Sequence, residues 1–198
     1  MNTATQARIP GPQTGERVKT PRTPPVIGGP VLLSDSRPRD QRRLEARRDV
    51  LVYSSPALPR DVEMIGPVTA ELFVRSSTPY VDVVVRVCDV RPDGRSLNLC
   101  EGVRRLRPDS PEDPGAPGEF LDGDVRRVVV ELWPLGHRFR AGHRIRVHVA
   151  AGAYPTIARN TGTGRAIGLG GPMVPADVEV FHAPELPSAL VLPRVTPT

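Results

Sequence analysis

Lysine is almost missing from this chain: of 27 cationic residues, 26 are Arg. Aromatics are scarce, with four Phe, three Tyr and one Trp, and cysteine occurs twice, as Cys88 and Cys100. No apolar run approaches the roughly 20 residues of a membrane-spanning helix, and the first thirty residues lack the apolar segment of a secretory signal. The expected address is the cytoplasm, with no membrane partner. With no CxxC and no Cys/His cluster, a zinc module is excluded, and in a reducing compartment the two cysteines are expected as buried free thiols. They flank RPDGR, a hairpin signal, and would face each other on neighbouring strands if the loop centred near Gly94.

The net charge of +5 is unevenly placed. Residues 1–48 carry a net +6 and the remainder a net −1, so the basic surplus belongs to the N-terminal part. None of the few aromatics interleaves with it, so the stacking platform of a single-strand nucleic-acid binder is missing. No nucleic-acid partner is expected.

What the chain has in quantity is Pro (24) and Gly (18), which punctuate short runs of period two. Residues 1–23 are Pro-, Thr- and Arg-rich with little to bury, and are predicted to be a disordered basic tail. Residues 24–48 are predicted to be a linker wrapping the domain, with one turn of helix in its charged part. A β domain then fills 49–198. Its strand-type runs are 49–55, 66–77, 81–90, 96–107, 124–134, 143–151, 178–183 and 188–195. The third and fourth should form a hairpin across Pro92-Asp93-Gly94, and the fifth and sixth another across Phe139-Arg140-Ala141-Gly142. A Pro/Gly/Asp loop separates the hairpins. Eight short antiparallel strands predict an all-β fold, two packed sheets in a sandwich of jelly-roll type.

Candidate chemistry is thin. On one strand His143, Ile145, Val147 and Val149 share a face while Arg144, Arg146 and His148 share the other, so His143 and His148 cannot hold one ion together. His137 could approach His143 across the turn, which is still short of three ligands. The arginine row reads as a solvent or inter-domain face. No G-x-S-x-G elbow raises a serine nucleophile, Cys88 sits in an apolar run and reads as core, and the glycine-rich run 161–171 opens no helix and reads as a loop. No catalytic residue, metal or cofactor is expected.

Four strings, DVLVYSSPALPRDVEMIGPV, VDVVVRVCDVRPDGRSLNLCEGVRRLR, VVVELWPLGHRFRAGHRIRVHVAAGAYPTIARNTGTG and VFHAPELPSALVLP, run in order between about Pro24 and Val195. Together they resemble the C-terminal domain of X-Pro dipeptidyl-peptidases and CocE/NonD-type esterases and acylases. The resemblance implies a galactose-binding-like jelly roll that packs on a serine α/β-hydrolase domain, which holds the whole catalytic triad. No triad residue therefore transfers to this sequence. GHRFRAGHRIRV would be the central hairpin, anchored by Trp133 and Phe139, with Gly142 permitting the turn. A non-catalytic structural or interaction module is expected. Its partner would be a separately encoded α/β-hydrolase domain, or a second copy through self-association. The candidate interface residues are Arg95, Ser96, Asn98, Tyr154, Arg159 and Asn160, on two loops expected to border one face. Alternatives are a component of an active dipeptidyl-peptidase or esterase assembled in trans, and a carbohydrate-binding module, which the shortage of aromatics disfavours.

Overall fold

The computed structural model describes residues 6–7, 16–19, 37–107, 120–121, 125–165 and 171–195. Alternating apolar residues and tight turns fold into two antiparallel sheets facing each other across one core. In chain order the elements are β1 (Gln6–Ala7), β2 (Glu16–Lys19), α1 (Arg42–Glu45), β3 (Val50–Ser54), β4 (Val62–Ser76), β5 (Val81–Val90) and β6 (Ser96–Leu106). There follow β7 (Phe120–Leu121), β8 (Val125–Phe139), β9 (Arg144–Ala150), β10 (Asp177–Phe181) and β11 (Ala189–Val191). The four-stranded sheet runs β3-β9-β5-β6. In the other sheet β4 is the spine: β8 pairs along one edge and β10 and β11 share the other, flanked by β2 and β1.

The core is the alternate residues of both inner faces. Val68, Ala70, Leu72 and Val74 of β4 and Val128, Val130 and Leu132 of β8 meet Val81, Val83, Val85 and Val87 of β5 and Ile145, Val147 and Val149 of β9. Burying each such side chain contributes about 1.5–3 kcal/mol. β-branched residues favour this because their restricted χ1 matches the pleated surface.

Two expectations about strand extent are corrected by one feature. β4 begins at Val62 rather than 66, and β8 continues to Phe139 rather than ending near 134. Pro67 and Pro134 lie where the register shifts, from Gly66 opposite Leu135 to Val68 opposite Leu132. Both prolines therefore occupy one β-bulge, where ladder hydrogen bonds are interrupted and the missing N–H groups cost little.

The second predicted hairpin is also corrected. β8 pairs with β4, whereas β9 pairs with β3 and β5, so the Arg140-Ala141-Gly142 turn carries the chain between sheets. Gly142 has a positive φ of 80°, which a glycine adopts without strain. Phe139 is fully buried, but Trp133 is 73% exposed beside the bulge and anchors nothing in the described structure.

At the N-terminus, where a disordered tail is expected over 1–23, Gln6–Ala7 pairs with β11 and Glu16–Lys19 with β10. The other residues up to 36 lie outside the described residues, as do most of the loop between the predicted hairpins and part of the glycine-rich run. Within that loop Phe120–Leu121 forms β7 against β8. Of the predicted linker, residues 37–48 include the single turn α1, which lays Leu44 on the outer face of the four-stranded sheet with Val50, Val84, Ala150 and Ala153. Among the described residues no helix is long and apolar enough to cross a membrane.

The cysteines are both buried and free. A bulge sets Cys100 opposite Val87 and Cys88 opposite Asn98, so they are out of register. Cys100 enters the core while Cys88 lies beside His148.

Candidate functional site

The three histidines that crowd one stretch of sequence each end on a carboxylate, buried Asp89 or half-buried Glu45. Asp89 ends the inner face of β5 and takes His143 Nδ1 at 2.8 Å and His137 Nε2, from the opposite sheet, at 3.1 Å. Burial alone would push the Asp89 carboxyl up, but the two imidazoles outweigh it and hold it below the usual range. This clamp closes the sandwich beside the inter-sheet turn. His148 points the other way, as the strand period requires, yet its face is not solvated: His148 is 2% exposed. Its Nε2 lies 2.9 Å from Glu45 of α1, which also accepts from Arg146 at 2.6 Å. The arginine row as a solvent face is thus corrected, because α1 covers it in part.

Burial lowers the His148 pKa, with the Arg86 and Arg146 charges adding to the effect against Glu45. Cys88 Sγ is 3.9 and 4.0 Å from the two His148 nitrogens, favouring neither, and burial pushes the thiol up to about 12. The pair is a packing contact; a nucleophilic cysteine needs a depressed pKa and access. Burial raises Cys100 to about 12 as well.

The six candidate interface residues are not brought together. The register places Val90 opposite both Ser96 and Arg144, and Val84 opposite Ala150. The 91–95 turn and the loop after β9 therefore lie at opposite ends of the sheet. Arg95 is exposed at its turn and pairs with Asp93 at 2.7 Å. Ser96 is fully buried. Asn98 Oδ1 accepts from Arg39 N at 2.7 Å and Gln41 Nε2 at 3.2 Å, pinning the segment before α1. Beneath that segment Arg86, 2% exposed, donates to Gln41 Oε1 at 2.8 Å and to Glu101 Oε2 through Nε at 3.0 Å and Nη2 at 2.5 Å.

At the other end, the loop after β9 is tied down by a carboxylate that sequence reasoning missed. Asp82, on the outer face of β5, accepts two hydrogen bonds from Arg105 at 2.7 Å each and one from Asn160 Nδ2 at 2.9 Å. Arg105 reaches on to the Ala158 carbonyl at 2.5 Å, and Asn160 Oδ1 accepts from Gly162 N at 3.0 Å. Asn160 is thus an internal tether. At Gly164, where φ is +73°, a Cβ would meet the Tyr80 ring, so the glycine permits close packing of loop on ring. Tyr154 and Arg159 remain exposed, with the guanidinium stacked 4.3 Å from the ring centroid.

This scaffold frames a cavity of about 410 Å³ lined by Asp49, Tyr80, Asp82, Tyr154, Arg159, Asn160 and the Met173–Ala176 segment, among others. Met173 and Val174 are each about half exposed on its rim. An isolated Asp in the run VDVVVRV was the available signal for Asp82; Met173 and Val174 had none, since they reach the cavity only by tertiary folding.

The family described as X-Pro dipeptidyl-peptidase C-terminal non-catalytic domain matches residues 2–185. Cocaine esterase from Rhodococcus sp. (strain MB1 Bresler) is 37% identical over 175 residues, covering 86% of this chain but 30% of that protein. Among solved structures, an aminopeptidase from a marine sediment archaeon, Thaumarchaeota archaeon, superposes with a TM-score of 0.79 at 24% identity, over 96% of this chain and 34% of that one. An alpha-amino acid ester hydrolase gives 0.77 at 25%, over 91% and 32%. The chain spans about a third of the relatives it matches. Its two-sheet β-sandwich and this match over nearly its whole length agree: the chain belongs to the family of C-terminal non-catalytic domains of X-Pro dipeptidyl-peptidase and CocE-type hydrolases.

Proposed function

We propose that this chain is the accessory β module of an ester- or peptide-hydrolysing assembly. In this reading it has jelly-roll connectivity and docks on an α/β-hydrolase domain through the end that carries Tyr154 and Arg159. The observation that carries the reading is the match itself: 86% of this chain corresponds to 30% of cocaine esterase, and in this reading a hydrolase domain, in the same or another polypeptide, is what the module packs on. The docking end is chosen because exposed Tyr, Arg and Met are enriched at interface centres, and because the Asp82 tether holds that loop in one conformation, which lowers the entropic cost of association. Catalysis belongs to the partner.

The test is complementation: cocaine esterase lacking the part this chain matches is co-expressed with the chain. Co-elution is expected, with Tyr154→Ala weakening it and leaving the chain folded. Independent elution, or a Tyr154→Ala variant that unfolds, overturns the docking reading. The chain alone should hydrolyse p-nitrophenyl esters no faster than buffer.

A further inference from the structure

The charges around the cavity do not cancel. Each of its two acids already has an arginine: Asp82 is held by Arg105 and Asp49 by Arg47, both through two hydrogen bonds. A second hollow adjoins the first, sharing Tyr80, Arg159 and Asn160, and is lined further by Arg105, Arg107 and Arg165. The charges of Arg159 and Arg165 are therefore unmatched by any carboxylate lining the two hollows, among the described residues.

The larger cavity has an apolar part to its lining: Ala151, Ala153, Val174 and Pro175 line it together with Tyr80 and Tyr154. Its volume is in the range that holds a small organic molecule. Arg159 is pre-set for anion recognition, because stacking its flat face on Tyr154 leaves the N–H edge free to form a fork of two hydrogen bonds.

We propose that this cleft is a binding site for small carboxylates with an apolar body, the hydrocarbon part seated between Tyr80, Tyr154 and Val174 and the carboxylate at Arg159 and Arg165. The docking reading supplies only its setting, a pocket contributed to a joint cleft. Binding itself is a property of this chain alone, so complex formation and ligand binding can fail separately.

The probe is 3-phenylpropionate, titrated into the chain at low salt and followed by amide shifts of Asn160 and Gly162. Phenethylammonium and 3-phenylpropanol serve as isosteric controls. Saturable binding is expected, about tenfold tighter for the carboxylate than for either control. It should weaken about tenfold in Arg159→Gln and in Arg165→Gln, and several-fold between 50 and 500 mM salt, as screening requires. Both variants remove exposed side chains; if one fails to fold, the other together with the salt series decides. Equal binding of the alcohol or the ammonium, shifts confined to other amides, or no saturation would each overturn the proposal.

Discussion

Both faces of the β3-β9-β5-β6 sheet are buried, by opposite chemistries. The inner face is mainly apolar against the other sheet, with Asp89 only at its end; the outer face has an apolar patch around Leu44 and Val84 but also carries Asp82, Arg86, Cys88 and His148, none more than 2% exposed, beneath α1 and the loop after β9. An apolar face has no directional requirement and tolerates changes of shape if volume is kept. A polar face must have every partner in place, since an unpaired buried charge costs several kcal/mol.

The largest expected effects test that contrast. Arg86→Ala leaves Glu101 and Gln41 without their donor and should destabilise by about 3–5 kcal/mol, against about 2 kcal/mol for Val85→Ala on the inner face. Replacing both charges, as Arg86→Met with Glu101→Leu, should recover most of the loss. Urea denaturation measures all three, and the contrast breaks if Arg86→Ala is the milder single change. Next comes Gly102, where β6 passes so close to β8 that a Cβ would overlap the Glu131 carbonyl. Backbone must move to accommodate Gly102→Ala, for a loss of about 3 kcal/mol.

A smaller effect is pH dependence. Burial holds the folded pKa of His148 below the ordinary histidine value of about 6.5, so its contribution is full above that pH and is lost as pH falls below it, because the unfolded chain binds the proton first. Glu45 is also depressed, from 4.5: burial raises it, but the His148 hydrogen bond and the Arg146 charge win. It adds a second loss in the same direction below pH 4.5. The urea midpoint should fall from pH 7.5 to 5.5, and His148→Gln should flatten that first step. Smallest is Trp133→Ala, which should shift stability by less than about 0.5 kcal/mol despite removing the one Trp, while Phe139→Ala should cost about 3–5 kcal/mol. Thermal melts of both settle which aromatic anchors the turn.

The same contrast explains which parts of the molecule could be read in advance. Tyr154, Arg159 and Asn160 stood out because AYPTIARNTGTG has no core pattern, and the structure places them around one cavity. Ser96 and Asn98 stood out equally, beside a turn, yet both are buried under the segment before α1. Nothing local distinguishes a polar residue facing water from one facing another polar residue. The bounds of the runs 66–77 and 124–134 fell short for a related reason: only the meeting of Pro67 and Pro134 at one bulge lets both strands continue past them.

By itself the sequence determined the period of its strands, the 91–95 hairpin and the division of β9 into two faces, which follow from alternation and turn chemistry within a few residues, and the family, which its longer strings carry. Tertiary structure alone decided that β8 and β9 join different sheets, that the outer face of the four-stranded sheet is closed by charge pairs, and that Asp82, Arg105 and Asn160 hold a cavity open at one end. The physical reason is that alternation specifies which way a side chain points, whereas ladder hydrogen bonds come from the backbone, which is the same at every residue except Pro. Which strand becomes a neighbour, and what covers a polar face, is settled only when segments distant in the chain compete for the same edge.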